Sequence, residues 1–416
     1  MNAEIISVGT ELLLGNTVNT DTTIIARELS RLGINLLFTG TVGDNPARLD
    51  FTIRQALSRS DLVITTGGLG PTGDDLTKET IAKAAGKKLV FHEESFRRIQ
   101  EHLAGREMAE SEKKQAYLPE GCTVLKNNVG TAPGCAFETD KGKLVMMFPG
   151  PPSELIPMLR DYGAPYLLKR ENAAIVSKNI HVFGLGESRV AELIADLTEG
   201  SNPTAATYAK ECEMFVRVTA RAATEQEAEA LCQPLADKIT ARLGDVVYST
   251  QADSLEELVV RELSARGLKL ATAESCTGGL LAKRITDIPG SSDVFEMGAV
   301  TYANRIKTMV LDVPEDMLER HGAVSEEVAR AMAEGIRRKA GSDLGIGITG
   351  IAGPGGGTPE KPVGLVYIAL SDGKETYVRR MPGTGRPRSR EYQRTAASSN
   401  ALDMVRRWLE GKPVLP

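Results

Sequence analysis

Two stretches of this chain hold residue types in arrangements that chemistry uses. In Gly67-Gly68-Leu69-Gly70-Pro71-Thr72-Gly73-Asp74-Asp75 a glycine loop ends in two carboxylates. Gly67, Gly68, Gly70 and Thr72 can present donors to an anion, while Asp74 and Asp75 would repel it unless a divalent cation bridged carboxylate and phosphate. Glu11, at a second expected strand end, offers a third oxygen ligand. Thr72 and Asp75 also carry capping-box spacing, so a plain helix cap is the structural alternative for both.

The second stretch is Ala273-Glu274-Ser275-Cys276-Thr277-Gly278-Gly279, which places Ser275 in a tight turn of small residues. Such a serine suits a nucleophile, and equally an N-cap. Around Ser275 neither GxSxG nor SxxK is present. A nucleophilic serine needs a base. The one histidine beyond residue 250 is His321, in Glu319-Arg320-His321-Gly322, which reads as a helix end with Gly322 as terminator. The remaining candidate is Lys307, in Tyr302-Ala303-Asn304-Arg305-Ile306-Lys307. A lysine lowered from ~10.4 to ~7.5 costs about 4 kcal/mol of differential interaction. Burial has to supply that shift; a surface Lys307 would simply be solvated.

Elements that position these residues follow from the apolar pattern. Strand-like runs at 5–8, 36–42 and 62–66 alternate with helical stretches at 22–32 and 47–58, the rhythm of a parallel sheet flanked by helices. A helix over 75–85 is expected directly after the glycine loop, which puts ligands beyond the strand C-termini. A different pattern occupies the middle, with strands at 179–183 and 215–220 and helices at 187–197 and 225–243. From 254 the α/β rhythm resumes: a helix over 255–266, then strands at 268–273, 298–302, 344–349 and 363–370. The expected fold class is therefore α/β, two domains with largely parallel sheets (1–170 and 254–416) joined by a small α+β connector (171–253).

Composition narrows the function classes. The 416 residues are 41% hydrophobic and 25% charged, as expected for several globular domains. No apolar run reaches the roughly 18 residues that a membrane helix needs. The start, Met1-Asn2-Ala3-Glu4-Ile5, lacks signal-peptide features, so a cytoplasmic address is expected. The five cysteines are dispersed without a CxxC pair, which argues for reduced thiols over a disulfide frame or thiolate zinc site. Net charge is −5 with no long basic stretch, a weak basis for nucleic-acid binding.

Beyond these local readings, the front stretch resembles the molybdopterin-binding fold family, and more closely the N-terminal domain of the CinA (competence/damage-inducible) family. The matching residues are Gly9-Thr10-Glu11-Leu12-Leu13-Leu14-Gly15, Asn19-Thr20, Val42-Gly43-Asp44-Asn45, the glycine loop through Thr77, Gly130-Thr131-Ala132-Pro133-Gly134 and Phe148-Pro149-Gly150-Pro151-Pro152-Ser153-Glu154. The resemblance implies an ADP-ribose pyrophosphatase using a divalent metal (Mg, Mn or Co). Pro149 and Pro151 read as rigid turn residues.

The back stretch resembles the CinA C-terminal domain, the nicotinamide-nucleotide amidase family. It does so through Glu274-Ser275-x-Thr277-Gly278-Gly279, Pro289-Gly290-Ser291-Ser292, Tyr302-x-Asn304-x-x-Lys307, Gly322-Ala323-Val324-Ser325, Thr349-Gly350-Ile351-Ala352-Gly353-Pro354 and Lys361-Pro362-Val363-Gly364. This implies hydrolysis of nicotinamide mononucleotide to nicotinic acid mononucleotide and ammonia by a serine/lysine mechanism without a cofactor. Ser275 is the first candidate nucleophile and Ser292 the second. Tyr302, Thr349 and nearby backbone N–H groups are candidates for the oxyanion, and Gly278, Gly279, Asn304 and Gly353 for substrate binding. The family's Gly-Asp-Arg is replaced here by Gly383-Thr384-Gly385-Arg386-Pro387-Arg388-Ser389-Arg390. Register counted back from Ala401-Leu402 through Arg394 favours Arg390, although Gly385-Arg386 imitates the motif by eye. Small-molecule nucleotides and a second copy of the chain, as a homodimer, are the expected partners. The rival reading is a molybdopterin or nucleotide carrier, or a competence or DNA-repair accessory, without catalysis.

Overall fold

The computed structural model describes residues 1–103, 108–170, 174–383 and 388–415. They form two compact units, one of residues 1–176 and 220–230, the other of 177–219 and 231–416. Among the described residues no helix is long and apolar enough to cross a membrane.

The first unit is built on strands β1 (Asn2–Val8), β2 (Asn35–Val42), β3 (Leu62–Thr66), β4 (Leu89–Phe91), β5 (Tyr117–Pro119), β6 (Thr123–Leu125), β7 (Gly134–Glu138) and β8 (Leu144–Phe148). Six of them make one sheet in the order β2-β1-β3-β8-β7-β6, while β4 and β5 pair separately. The β1–β2, β1–β3 and β3–β8 pairings are parallel, and β8–β7 and β7–β6 antiparallel. Strands β3 (LVITT) and β8 (LVMMF) are buried along their whole length, because helices cover both faces of a parallel centre. Alternate residues serve opposite cores: Ile5, Ile64 and Phe148 pack with Ile25 and Leu29, while Ile6, Val63 and Val145 pack with Leu49 and Ile53. The helix Pro46–Arg59 shows why it starts where it does. Asn45 accepts from Arg48 N through its side chain, and Pro46 occupies the first turn, where its missing N–H costs nothing.

The C-termini of β1, β3 and β8 share one edge, so the segments after Val8, Thr66 and Phe148 emerge together. Gly67 N donates to Phe148 O at 3.1 Å. The helix after the glycine loop runs Thr77–Ala84, two residues later than the sequence suggests, with Leu76 at its N-cap.

The strands β9 (Ala174–Val182), β10 (Thr204–Ala209), β11 (Met214–Ala222) and β12 (Val247–Ser249), most of whose residues belong to the second unit, form a sheet ordered β10-β11-β9-β12. The helix Glu225–Leu243 follows β11, and the 187–197 stretch divides into the helix Glu187–Leu193 and a 3-10 turn at Ala195–Leu197. A five-stranded sheet then follows, of β13 (Leu270–Glu274), β14 (Phe295–Val300), β15 (Leu344–Gly350), β16 (Leu365–Ser371) and β17 (Thr376–Pro382), ordered β14-β13-β15-β16-β17. The β13–β14 and β13–β15 pairings are parallel, and β15–β16 and β16–β17 antiparallel. This sheet is thus mixed rather than largely parallel, because its last three strands follow one another without a crossover helix: the 351–364 loop joins β15 to β16 and a short turn joins β16 to β17. The helix Arg390–Leu409 packs on it through Ala397, Ala401 and Leu402.

Candidate functional sites

Beyond the carboxyl edge of β1, β3 and β8 lies a cavity of about 530 Å³. Glu11, Gly67, Gly68, Gly70, Asp74 and Asp75 all line it, as the sequence led us to expect; Thr72 is not among its lining residues. The loop needs its glycines. Gly67 and Gly68 have φ of +93° and +67°, and a Cβ there would strike Val8 O and Thr77 Oγ1. Asp75 turns its carboxylate back on the loop, accepting from Thr72 N at 2.9 Å and from the Thr72 hydroxyl. The Thr72–Asp75 pair therefore closes its own turn, and the helix begins only at Thr77. Asp74 is exposed, and the Thr72 side chain holds its carboxyl below the usual range.

Sequence reasoning missed Asp21, Asp44 and Glu154 as further carboxylates of this cavity. Asp21 accepts from Thr66 Oγ1 at 2.7 Å, and burial raises its pKa. Asp44 exchanges hydrogen bonds with Thr10, and Glu154 accepts from Asn127 Nδ2 at 2.6 Å. Asp44 and Glu154 did sit inside motifs already noticed, which was the available signal. The charged lining is entirely acidic, with no lysine, arginine or histidine among the described residues. A polyphosphate can enter such a cavity only with a counter-cation, and the hard carboxylate oxygens of Asp74 and Asp75 suit a hard divalent ion that also takes phosphate oxygens. Glu11 shares the cavity without completing a cluster: among the described residues no three His, Cys, Asp or Glu side chains come together to hold an ion.

The second site lies at the carboxyl edge of β13. Ser275 follows that strand directly, and its N–H donates to Ile348 O of β15 at 2.9 Å. The next turn passes through Gly278 and Gly279, both left-handed, into the helix Leu280–Thr286. Ser275 is not the N-cap of that helix. Its free N–H groups are taken by Glu274, whose buried carboxylate accepts from the backbone of Gly279, Leu281 and Ala282 at 2.8–3.1 Å. Arg394 braces the same turn with two hydrogen bonds to Thr277 O, at 2.6 and 3.0 Å. Glu274 and Arg394 were not among the expected site residues, although Glu274 stood inside the serine motif and Arg394, four residues after Arg390, carried the register that favoured Arg390.

Lys307 enters from the first turns of the helix Asn304–Leu311 and is 1% exposed. Its Nζ lies 3.3 Å from Ser275 Oγ, 2.8 Å from Thr301 O and 3.1 Å from Tyr302 O. Burial lowers its pKa. A neutral amine has two N–H donors and one lone pair, which matches two carbonyls and one hydroxyl. Arg390, first residue of its helix, donates to Gly353 O at 2.8 Å and to the Tyr302 hydroxyl at 3.2 Å. Asn304 is exposed at the start of the lysine helix. Arg386, the alternative arginine, lies outside the described residues.

Ser292 falls elsewhere, and Thr349, beside Ser275 at the strand edge, has its hydroxyl committed to another partner. Ser292 sits in the 3-10 turn Ser291–Asp293 before β14, where Val294 O accepts from Leu270 N at the opposite end of β13. Five strand residues at about 3.3 Å each separate the two edges, so Ser292 is not brought to Lys307. Thr349 donates its one hydroxyl hydrogen to Ala323 O at 2.6 Å, which fixes the 322–325 turn instead of leaving a donor for an oxyanion. His321 ends the helix Glu315–His321 as expected and pairs with Glu327 at 3.2 Å.

Similar proteins accord with this division. Residues 4–169 match the family described as "Probable molybdopterin binding domain", 177–249 "Damage-inducible protein CinA KH domain" and 252–409 "CinA C-terminal domain". A CinA-like protein of Desulfovibrio desulfuricans is 55% identical over 414 residues, covering 100% of this chain and 97% of its own. A CinA-like protein of Kosmotoga olearia is 49% identical over 412 residues, covering 98% of this chain and 99% of its own. A crystal structure of CinA, described as of unknown function, from Thermoplasma acidophilum is 36% identical; the match takes in 98% of that chain and 40% of this one, with a TM-score of 0.38.

Proposed function

The chain belongs to the CinA family, and from that premise we propose that it is a bifunctional hydrolase of pyridine-nucleotide breakdown products. The back site deamidates nicotinamide mononucleotide, and the front site, with a divalent metal, cleaves the pyrophosphate of ADP-ribose. The observation that carries the first activity is the contact of a buried lysine, whose hydrogen-bond partners are all uncharged, with the hydroxyl of Ser275.

The chemistry follows from that contact. Ser275 Oγ attacks the carboxamide carbon while Lys307 Nζ takes the hydroxyl proton. The C–N bond then breaks, and the proton on Lys307 leaves with ammonia. Lys307 next takes a proton from water, whose oxygen cleaves the ester to nicotinic acid mononucleotide and returns Ser275. In the 275–279 turn the N–H groups of Ser275, Gly278 and Gly279 are bonded to Ile348 O, Ser275 O and Glu274, so those of Cys276 and Thr277 are the ones that would serve the developing oxyanion. Arg390 commits two of its five donors to Gly353 and Tyr302, which orients the others for the substrate phosphate.

In the front cavity Asp74 and Asp75 would hold the metal, which supplies charge neutralisation to the pyrophosphate when bound. The Gly67–Gly70 backbone fits the phosphate beside it. The experiment that tests the amidase assignment is Ser275→Ala. It is expected to abolish ammonia release from nicotinamide mononucleotide while ADP-ribose cleavage continues. Retention of ammonia release within about tenfold of wild type, ~1.4 kcal/mol, would remove Ser275 as nucleophile.

A further inference from the structure

The wall of the front cavity contains a buried polar side chain whose acceptor oxygen has no partner among the described residues. Gln115 lines the cavity, is 1% exposed, and its Oε1 has no hydrogen-bond partner among the described residues. Its position is nevertheless tightly fixed. Lys78, 5% exposed, donates from Nζ to Lys114 O at 2.9 Å and to Gln115 O at 3.1 Å, which pins the 3-10 turn Lys114–Ala116. From the same turn Lys114 Nζ reaches Asp75 O at 2.7 Å, tying it to the glycine loop. A buried carboxamide held rigidly with its acceptor unused is unfavourable for the empty fold. Such a group at a cavity wall is satisfied when a ligand brings the missing donor.

We infer that Gln115 is a ligand-reading residue of the front cavity, whose carboxamide accepts a hydrogen bond from a hydroxyl or amino group of a bound nucleotide. This rests on the proposed nucleotide chemistry of that cavity and adds the residue that selects within it. The carboxylates of the lining suit a metal and, through it, phosphate, which are common to every nucleotide. A buried acceptor distinguishes ligands that offer a donor from those that do not, because the unmatched ligand leaves it unpaired. In ADP-ribose the donor comes either from the adenosine half or from the terminal ribose, so the two halves can be tested separately.

The variant to make is Gln115→Met, which keeps side-chain volume and removes the unpaired acceptor. Binding of adenosine monophosphate and of ribose 5-phosphate is measured by calorimetry in magnesium, beside the thermal midpoint of each protein. The expected result is a loss of at least about tenfold in affinity for one half, the other staying within about twofold, with a midpoint no lower than wild type. A residue that merely supports the fold gives the opposite pattern, a lower midpoint and unchanged binding of both, and that result overturns the inference. Gln115→Asn, which retains the carboxamide but withdraws it by one methylene, is expected to weaken the same half; unchanged affinity there also overturns it. If the wild-type protein binds neither half nor ADP-ribose, the nucleotide reading of the cavity falls and this inference with it.

Discussion

Lys307 is surrounded by two carbonyls and a hydroxyl, and no carboxylate is hydrogen-bonded to it. Burial therefore acts almost unopposed to favour the neutral amine, which is the form a general base needs. Deamidation should rise with pH as Lys307 loses its proton, along a limb centred below the ordinary lysine value of about 10.4. Lys307→Arg keeps the charge yet stays protonated, so it should reduce kcat/KM for nicotinamide mononucleotide by at least about a hundredfold and erase that limb. A variant with partial activity and the wild-type pH profile would reduce Lys307 to a source of charge. None of this was legible from the segment Tyr302–Lys307 alone. Nearness to Ser275 depends on β13 and β14 lying side by side, and burial depends on the packed helix. The same dependence on topology removed Ser292, which local sequence could not distinguish from Ser275.

At the scale of elements, the glycine loop is a turn braced by Asp75, and its charge can be separated from its geometry. Asp75→Asn retains an oxygen to accept from Thr72 but loses the carboxylate. It should lower ADP-ribose cleavage about a hundredfold while leaving the thermal midpoint nearly unchanged. Full turnover in the variant would leave Asp75 with the brace alone. The second unit offers a pH test on β9. His181 is 2% exposed, packs near Phe215 and Tyr248, and is pushed down to about 4 by burial, with Lys210 adding to the shift and Asp253 opposing it. The unfolded chain takes up its proton near 6.5, before the fold does. Stability is therefore full above that value and falls as pH drops towards 4, by on the order of 3 kcal/mol. His181→Phe should flatten the loss measured by urea unfolding between neutral and acid pH; an unchanged slope would assign acid sensitivity to other groups.

Burial explains only part of which elements were legible, since the buried strands Gly134–Glu138 and Leu144–Phe148 were not read. The continuous apolar run Leu62–Thr66 and the helices Leu255–Arg266 and Glu225–Leu243 were read with their observed bounds, because their patterns agree with their environment. Thr376–Pro382 and Thr204–Ala209 were missed. Both are edge strands with partly exposed side chains, and Arg379 and Arg380 break the apolar pattern of the first. The helix start at Thr77 was misplaced because the Asp75 carboxylate serves a turn instead of a cap. Gln115 had no signal at all in the sequence, since an unpaired buried acceptor is visible only once the surrounding atoms are in place.

For the whole molecule, the two sites carry opposite electrostatics, and this sets how each should respond to a chelator. The charged side chains that line the front cavity, among the described residues, are all carboxylates, so a pyrophosphate entering it needs charge neutralisation from outside the chain. At the back, in the mechanism proposed above, Arg390 would supply positive charge for the phosphate and Lys307 the base, so the chain itself would meet both requirements. Chelation by EDTA should therefore lower ADP-ribose cleavage at least about a hundredfold, restored by excess magnesium, manganese or cobalt, while ammonia release from nicotinamide mononucleotide stays within about twofold. Ser275→Ala should give the reverse: metal-dependent cleavage intact and ammonia release abolished. Measured on one preparation of the full chain, the two treatments distinguish separate chemistry from shared folding. If EDTA abolished both activities and lowered the thermal midpoint as well, metal would belong to the fold rather than to one site. If it abolished neither, the acidic cavity would have to bind its substrate without a counter-cation, and the assignment of Asp74 and Asp75 would be wrong.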